Sequence, residues 1–337
     1  MSQARLRTVI AMNRQVADKL IDEDTRARLV AVSDTDPDLV VDDFTTPAAR
    51  RALADADVLF TGWGCPPVDE QVLRDAPRLR AVVHVAGSVK HHVTDACWRR
   101  GIAVSSAAAA NALPVAEYTV AAVLMSNKRV PAIADRFRRS RVWLDWQAEF
   151  PWLGNYRLRV GVVGASKIGR RVIELLRPFD LDVVVADPYL AASEAKSLGV
   201  ALTSLDDLVS TSHVVSLHAP ELPETKHLMD ARRLALMPTG ATLINTSRGS
   251  LVDTGALITE LRDGRLHAVL DVTDPDVLPT DSPLFTTPNL VLTPHIAGSL
   301  GNELSRMTAL ALDELGRLAR GVPLAHQVAR EVLDRSA

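Results

Sequence analysis

Residues 160–187 read VGVVGASKIGRRVIELLRPFDLDVVVAD, and this stretch decides the fold of the chain. Val160–Val163 is a short run rich in β-branched residues, which is typical of a buried strand. Gly164 follows directly, at a sharp turn that a Cβ would obstruct. Apolar residues then recur at the spacing of one helix face, namely Ile168, Val172, Leu175, Leu176 and Phe179. The stretch therefore predicts a strand, a glycine turn, an amphipathic helix and a second strand.

This order of elements is that of a Rossmann βαβ unit, which binds dinucleotides. The free N–H groups and positive dipole end of the helix favour a pyrophosphate, and Lys167 adds positive charge. Gly169 lets the helix pack closely on the strand. Asp187 ends the second strand, 23 residues after Gly164. Its carboxylate would accept hydrogen bonds from ribose hydroxyls and repel a 2′-phosphate, which favours NAD over NADP.

One position departs from the usual G-x-G-x-x-G pattern. Ser166 takes the place of the middle glycine, which leaves the backbone less room to approach a pyrophosphate. The serine hydroxyl can bond the phosphate instead, or it can cap the helix. The two roles are compatible, and the residues alone do not choose between them.

Length and composition limit the classes of protein that fit. A chain of 337 residues with 47% hydrophobic residues is expected to form two domains with large cores. A net charge of −3 gives no broad positive field, which argues against nucleic acid or an anionic membrane as the main partner. Cys65 and Cys97 are too few for a disulfide framework and lack a metal-ligand spacing. No metal site is therefore expected. Since there is no signal-peptide pattern and no uninterrupted apolar span of about 20 residues, we expect a cytoplasmic protein.

From residue 160 onward, short apolar strands alternate with helices. This alternation predicts an α/β fold with a doubly wound, six-stranded parallel sheet. The expected strands are Val160–Val163, Val183–Ala186, Val214–Leu217, Ala241–Ile244, Ala268–Val272 and Leu290–Leu292. Helices are expected at Ala191–Leu198, Ala231–Met237 and Thr254–Arg262, with Gly240 and Gly264 as stops.

The N-terminal third repeats the alternation and predicts a second, flavodoxin-like α/β domain. Its expected strands are Thr8–Met12, Leu29–Val32, Val58–Thr61, Ala81–Val85 and Ile102–Ser105. One long helix, opened by Pro114, is expected over residues 111–137. A helical stripe follows the last strand, at Leu304, Met307, Ala311, Leu315 and Leu318. If this last helix crosses back, residues 1–108 and 303–337 form the substrate domain and residues 109–302 form the NAD-binding Rossmann domain.

Three tryptophans lie in the irregular stretch after the long helix. They are Trp143, Trp146 and Trp152. Large aromatic side chains in a loop favour an arm packed on another subunit, which predicts a homodimer. The alternative is that they cover a surface between the two domains of their own chain.

The residues just after the strands carry the chemistry, because ligands of open α/β sheets bind at the carboxyl ends of the strands. Arg248 has a planar fork that holds a carboxylate by two bonds and would stabilise charge on an adjacent carbonyl oxygen. His295 can donate a proton to that oxygen and recover it. Asp276 could hold the imidazole ring. The set therefore fits a 2-oxo acid that receives a hydride from a nicotinamide.

Several segments also carry a family resemblance. They are NALPVAEYTVAAVLM (111–125), SLHAPELPETKHLMD (216–230), MPTGATLINTSRGSLVDTGAL (237–257), HAVLDVTDPDVLP (267–279) and NLVLTPHIAG (289–298). In this order they resemble the successive blocks of the D-2-hydroxyacid dehydrogenases, a family that includes phosphoglycerate, glyoxylate/hydroxypyruvate and D-lactate dehydrogenases. The resemblance covers about Ala81 to Arg320.

The resemblance implies roles for individual residues. Arg248 and His295 match the catalytic arginine and histidine, with Asp276 at the position of the carboxylate. Backbone amides at Ala86, Gly87 and Ser88 match the loop that receives the substrate carboxylate. The cofactor contacts, taken together with the glycine turn, are Thr119, Gly164, Ser166, Lys167, Ile168, Asp187, His218, Ala219, Pro220, Thr225, Thr246, Ser247, Asp271 and Gly298. Among these, Asp271 would meet the nicotinamide carboxamide.

Two positions depart from the family pattern. Asp276 and Val277 stand where the family usually has Glu and Pro, so the carboxylate is one methylene shorter. Lys90, His91 and His92 follow the substrate loop, where relatives commonly have small acidic or polar residues. These groups could bind a second anionic group of the substrate, or they could form a solvated turn.

The main hypothesis is an NAD-dependent oxidoreductase that interconverts a small 2-oxo acid and its D-2-hydroxy acid, working as a reductase with NADH. The alternative is an NAD(H)-responsive regulatory protein, like the corepressors among the relatives, which the altered carboxylate at Asp276 leaves open. A formate- or phosphite-oxidising enzyme is less favoured, because the relatives that oxidise formate usually have an uncharged amide at this position.

Overall fold

The structure, a computed structural model, describes residues 5–150 and 153–333, and within them the chain forms two units. One unit is built from the residues up to Asn111 and those from Ser299 onward, and the other is Ala112–Gly298. The breaks lie three residues after and four residues before those expected from the sequence.

The first unit contains a parallel sheet of five strands within the described residues, in the order β2-β1-β3-β4-β5. This is the flavodoxin order, as predicted. Most of these strands are buried, which requires helices on both faces. The strands are β1 (Thr8–Ala11), β2 (Val40–Val41), β3 (Val58–Thr61), β4 (Ala81–His84) and β5 (Ala103–Ser106), and the helices are α1 (Arg14–Leu20), α2 (Glu23–Val32), α3 (Pro47–Ala54), α4 (Glu70–Asp75) and α5 (Asp95–Arg99).

One expected strand of this unit is wrong. Residues 29–32 are the last turn of α2, and the edge strand is β2 instead. The helix begins where the Asp22 side chain accepts a hydrogen bond from the Thr25 N–H (2.8 Å). The periodicity of an apolar run of four residues does not separate a strand from a helix turn, and the cap upstream decides it.

The long helix expected over residues 111–137 is two helices. Helix α6 (Ala108–Asn127) contains Pro114 in its interior rather than at its start, and α7 (Val130–Ser140) follows. Arg129 separates them with a left-handed backbone (φ 51°), just before the proline in the first turn of α7. By length and composition alone α6 is long and apolar enough to span a membrane, with a mean hydropathy of 1.3, and 44% of that window is buried inside the protein.

The second unit contains a parallel sheet of seven strands in its described residues, in the order β12-β11-β10-β9-β6-β7-β8. The predicted doubly wound sheet is confirmed, but six strands was wrong, because β8 is added at the edge. Both residues of β8 are exposed and it is too short to give a pattern in the sequence. The strands are β6 (Arg159–Val163), β7 (Asp182–Ala186), β8 (Ala201–Leu202), β9 (Val214–Leu217), β10 (Thr242–Asn245), β11 (His267–Leu270) and β12 (Leu290–Leu292).

The remaining helices belong to these two units. In the second unit they are α8 (Trp146–Glu149), α9 (Lys167–Leu176), α10 (Ala192–Leu198), α11 (Leu205–Thr211), α12 (Ala231–Leu236) and α13 (Thr254–Arg262), and in the first unit α14 (Leu304–Ala319) and α15 (Arg330–Leu333). The predicted apolar stripe of α14 is confirmed, since Met307, Ala311 and Leu315 lie in the core of the first unit.

A glycine in α9 tests the packing of helix on strand. A Cβ at Gly169 would lie 2.0 Å from the Gly164 carbonyl oxygen, whereas a Cβ at Gly255 in α13 would meet nothing nearer than 3.5 Å. We expect Gly169→Ala to lower the free energy of unfolding by about 1–3 kcal/mol, because the backbone must shift. The matched variant Gly255→Ala should leave it unchanged or raise it by up to about 1 kcal/mol. Urea unfolding measures both, and equal effects would contradict the close packing.

Candidate active site

The predicted site residues of the second unit line one edge of its sheet. Since all seven described strands are parallel, their carboxyl ends meet at the same edge. Along the strand order from β12 to β7, the residues that follow these ends are His295, Asp271, Arg248, His218, Gly164 and Asp187.

The glycine turn is held by the acidic residue that was predicted to meet the ribose. Gly164 has φ 96°, and a Cβ on it would lie 2.7 Å from the Ala219 nitrogen. Asp187 accepts hydrogen bonds from the N–H groups of Ala165 (2.6 Å) and Tyr189 (2.7 Å). The carboxylate therefore orders the turn and keeps further lone pairs for a ligand.

The start of α9 fits a phosphate. Ser166 caps the helix by accepting a hydrogen bond from the Gly169 N–H (3.3 Å), which settles its role in the fold. Lys167 is exposed and Ile168 is half-buried. The first N–H groups of a helix have no partner within the helix and attract an anion. A turn that excludes a Cβ, next to such a helix start, fits the pyrophosphate of a dinucleotide.

The turn after β10 positions Arg248. The Asn245 side chain donates to the Arg248 carbonyl (2.8 Å) and accepts from the Ser247 N–H (3.0 Å). Thr246 donates to Thr119 in α6 (3.0 Å), because the Thr119 hydroxyl uses its proton on a helix carbonyl. No ion pair joins Arg248 to an acidic side chain anywhere in residues 5–150 and 153–333. Its guanidinium is half-buried and can receive a carboxylate.

His295 lies on a strained turn that Asp271 holds. Its backbone is left-handed (φ 57°) and its side chain is exposed. Asp271 is 1% exposed, and its carboxylate accepts from Thr293 Oγ1 (2.7 Å), Ile296 N (2.8 Å) and Ala297 N (2.8 Å). Three donors leave this carboxylate little capacity for the nicotinamide carboxamide that it was predicted to meet.

Asp276 does not support His295 in this structure. Within the described chain, neither a hydrogen bond nor an ion pair is formed by the Asp276 carboxylate or the His295 ring. The Thr273 hydroxyl bonds the Pro275 carbonyl (2.7 Å) and turns the chain so that Asp276 is exposed. The predicted contact is therefore absent from these described residues, where Asp276 lies exposed on the turn that Thr273 holds.

The residues after β9 pack against the glycine turn at Gly164. His218 is buried, with Nε2 2.9 Å from Ser216 Oγ, and burial lowers its pKa to about 3. The Thr225 hydroxyl donates to the Pro220 carbonyl (2.7 Å) and accepts from the Leu222 N–H (2.8 Å), which fixes the following loop. Ala219 is buried against Gly164. These residues shape the turn through their backbone, whereas the His218 ring faces the interior.

The predicted substrate loop lies in the first unit and follows β4. In the part of the chain that the structure describes, the N–H groups of Ala86, Gly87 and Ser88 donate no hydrogen bond. Three such groups in succession can receive an anion. Gly298, predicted to touch the cofactor, ends the second unit and is half-buried.

Lys90, His91 and His92 follow this loop, and they do not all carry a positive charge. His92 is buried, 3.2 Å from Thr61 Oγ1, and burial and then His91 lower its pKa to about 4. It also faces the buried His84, with 4.5 Å between ring centroids. His92 is therefore neutral and bonded inside, so only Lys90 and His91 remain exposed for a second anionic group.

Four residues in these contacts were missed by the sequence reasoning. They are Tyr118, Thr293, Thr61 and Asn245. Tyr118, Thr293 and Asn245 stand within two residues of a predicted residue, whereas Thr61 is 25 residues from Ala86, the nearest one. The direction of a polar side chain near a strand end is set by packing, which the sequence does not show.

A cavity of the second unit lies at the opposite edge of the sheet. It has a volume of about 480 Å³ and is lined by the first residues of two strands, Thr242 and His267, and by Arg129, Arg136 and Phe150. None of the predicted site residues lines it.

Comparisons with known proteins identify the family of the chain. Residues 120–297 match the NAD binding domain of the D-isomer specific 2-hydroxyacid dehydrogenases. The chain is 34% identical over 302 residues to a D-3-phosphoglycerate dehydrogenase of Mycobacterium tuberculosis (89% of this chain, 52% of the relative) and 34% identical over 287 residues to a glyoxylate reductase of Aeropyrum pernix (83% and 84%). A crystal structure of D-lactate dehydrogenase from Aquifex aeolicus, complexed with NAD and lactic acid, matches with a TM-score of 0.71 and 27% identity (93% and 96%).

The fold and the sheet edge define a dinucleotide-binding protein of the Rossmann class. More specifically, the chain belongs to the D-isomer specific 2-hydroxyacid dehydrogenase family, and residues 120–297 are its NAD-binding domain. The predicted family and cofactor are confirmed. The chain spans about half the length of the phosphoglycerate dehydrogenases that it matches.

The buried His218 generates a prediction about pH. Its folded pKa of about 3 lies below its ordinary value of 6.5, so between these values the unfolded chain binds a proton that the folded chain does not. Stability is therefore lost as the pH falls below 6.5, at about 1.4 kcal/mol per pH unit for this group. Urea unfolding at pH 7.5 and pH 5.5 should show this loss, and His218→Gln should reduce it. An equal loss in the variant would contradict the role of His218.

Proposed function

We propose that this protein is an NAD-dependent reductase that converts a small 2-oxo acid to its D-2-hydroxy acid. The observation that carries the proposal is the order along one sheet edge. Arg248 and His295 follow β10 and β12, with Asp271 between them, and the dinucleotide turn follows β6 on the same edge. An anion receptor, a proton donor and a cofactor cradle are the groups that this reduction needs.

The residues of this chain would act as follows. Arg248 binds the substrate carboxylate by its planar fork and stabilises the negative charge that develops on the C2 oxygen. His295, as an imidazolium, donates its proton to that oxygen and becomes neutral. In the first unit, the successive N–H groups of Ala86, Gly87 and Ser88 are proposed as a receptor for an anionic group. When bound, NADH supplies the hydride to C2, so the reaction consumes one hydride and one proton.

The acidic end of β7 favours NADH over NADPH. The Asp187 carboxylate accepts hydrogen bonds from two backbone N–H groups and lies beside the glycine turn. A 2′-phosphate there would be repelled, whereas ribose hydroxyls would be bonded.

The substrate is proposed as a short 2-oxo acid, and Lys90 and His91 favour one with a second anionic group. Both side chains are exposed just after the loop of Ala86, Gly87 and Ser88. A compact cation such as a Lys ammonium binds phosphate or carboxylate as a point charge. Glyoxylate is a short 2-oxo acid without a second anionic group, and 3-phosphohydroxypyruvate is one that carries a phosphate as its second anionic group.

A homodimer in the cytoplasm is also proposed. Helix α7 has no buried residue among those described, and Phe137 and Trp143 are 49% and 83% exposed. An amphipathic helix next to an exposed tryptophan favours contact with a second copy of the chain over a free surface. Trp146 is half-buried, and Trp152 lies outside the described residues.

A regulatory NAD(H)-binding protein is the second candidate. The exposed Asp276, with no bond to His295 in the described chain, favours it, because an imidazole that no carboxylate orients is held less well in the geometry for proton transfer. The two candidates differ in turnover, because the reductase oxidises NADH with a 2-oxo acid and the regulatory protein binds NADH with weak or no turnover.

Turnover of NADH with 2-oxo acids is the first expected result. We expect oxidation of NADH with at least one of glyoxylate, pyruvate, hydroxypyruvate, phosphohydroxypyruvate and phosphonopyruvate. His295→Asn should lower kcat by about 10²–10⁴-fold with NADH affinity unchanged, because it removes the proton donor. Arg248→Lys should raise KM and lower kcat together, because lysine lacks the fork. Tight NADH binding without turnover would favour the regulatory candidate, and full activity of His295→Asn would exclude His295 as the proton donor.

The cofactor preference gives a separate prediction. Asp187→Asn keeps the size of the side chain but removes its charge. We expect the ratio of kcat/KM for NADPH to that for NADH to rise several-fold, since two charges about 4 Å apart repel by about 1 kcal/mol or more. Steady-state assays with both cofactors measure the ratio, and an unchanged ratio would place the 2′ position away from Asp187.

A further inference from the structure

The turn that carries His295 needs an external support. A non-glycine residue with φ 57° lies in a region that costs about 1–2 kcal/mol. The His295 N–H donates to the Asp271 carbonyl (2.8 Å), and the two following N–H groups donate to the Asp271 carboxylate. The backbone from His295 to Ala297 is therefore wrapped around a single buried aspartate.

Thr293 links this aspartate to a distant helix. Thr293 Oγ1 is 2.7 Å from Asp271 Oδ1 and 2.9 Å from the Tyr118 hydroxyl, which lies 175 residues away in α6. A carboxylate only accepts, so the single hydroxyl proton of Thr293 goes to Asp271. The Tyr118 hydroxyl must therefore be the donor to Thr293.

We propose that Tyr118 is a positioning residue for His295, acting through Thr293 and Asp271. Its hydroxyl donates to Thr293, which keeps the Thr293 proton directed at Asp271 and the Asp271 carboxylate directed at the N–H groups of Ile296 and Ala297. The chain of donors polarises each member in turn. Within the described residues no hydrogen bond joins Tyr118 to the His295 ring, and by this proposal Tyr118 does not touch the substrate.

The chemistry of Tyr118 suits a permanent donor. Burial raises the pKa of its phenol, and the Asp271 charge adds to this. The phenol therefore keeps its proton at neutral pH. Since α6 also carries Thr119, one helix supports the turns after both β10 and β12.

Hydrogen exchange of the free protein tests the relay without any assay of activity. Tyr118→Phe should lower the exchange protection of the Ile296 and Ala297 amides by about two- to ten-fold, the effect of losing one hydrogen bond. Tyr156→Phe is the matched control, because Tyr156 is 64% exposed and outside the relay. Equal protection in the two variants would overturn the proposal.

Kinetics then separate positioning from general stability. This readout rests on the proposed function. We expect Tyr118→Phe to lower kcat by about two- to ten-fold with KM and NADH affinity nearly unchanged, and Tyr156→Phe to have no effect. Thr293→Val should reproduce the loss and Thr293→Ser should restore it, since serine keeps the hydroxyl.

The double variant Tyr118→Phe/Thr293→Val decides the route. If Tyr118 acts only through Thr293, its kcat equals that of Thr293→Val alone, whereas losses that multiply would overturn the relay. If the valine variants do not fold, hydrogen exchange in Tyr118→Phe decides alone. If the unchanged protein turns over no 2-oxo acid, the proposed function fails, and exchange still tests the relay.

Discussion

The parallel alignment of the seven described strands of the second sheet is the constraint on which the rest depends. It places every carboxyl end at one edge, so residues far apart in sequence, such as Asp187 and His295, share that edge. The side chains at the edge are stiffened by hydrogen bonds to the backbone, and a site built on strand ends is held more precisely than one on free loops.

Several polar side chains at this edge hold backbone turns in place, whether or not a ligand is bound. Asp187 orders the glycine turn, Asn245 orders the turn of Arg248, and Asp271 orders the turn of His295. The half-buried Arg248 donates only to the Ser247 carbonyl (2.7 Å), and neither Arg248 nor the exposed His295 forms an ion pair among the described residues, so both can meet a substrate. Asp276 is the exception, since it forms no such bond among the described residues and faces solvent.

The sequence reasoning succeeded where one residue type has one physical use. Gly164 needs a backbone without a Cβ, and alternating apolar runs need a layered sheet, so the strands β6, β9 and β12 could be read directly. It failed where local signals compete. Residues 29–32 suit a strand or a helix turn, Pro114 suits a helix start or an interior position, and the two exposed residues of β8 carry no periodicity.

By itself, the sequence determined the fold class, the family and the list of chemically capable side chains, because these follow from residue type, spacing and order along the chain. Only the tertiary structure decided how those side chains are used. His92 is in the basic cluster by sequence but is buried and neutral, and Asp271 is committed to the turn of His295. Tyr118 and Thr293 gained importance only through contact across 175 residues. The direction of a polar side chain depends on its neighbours in space, which no local pattern encodes.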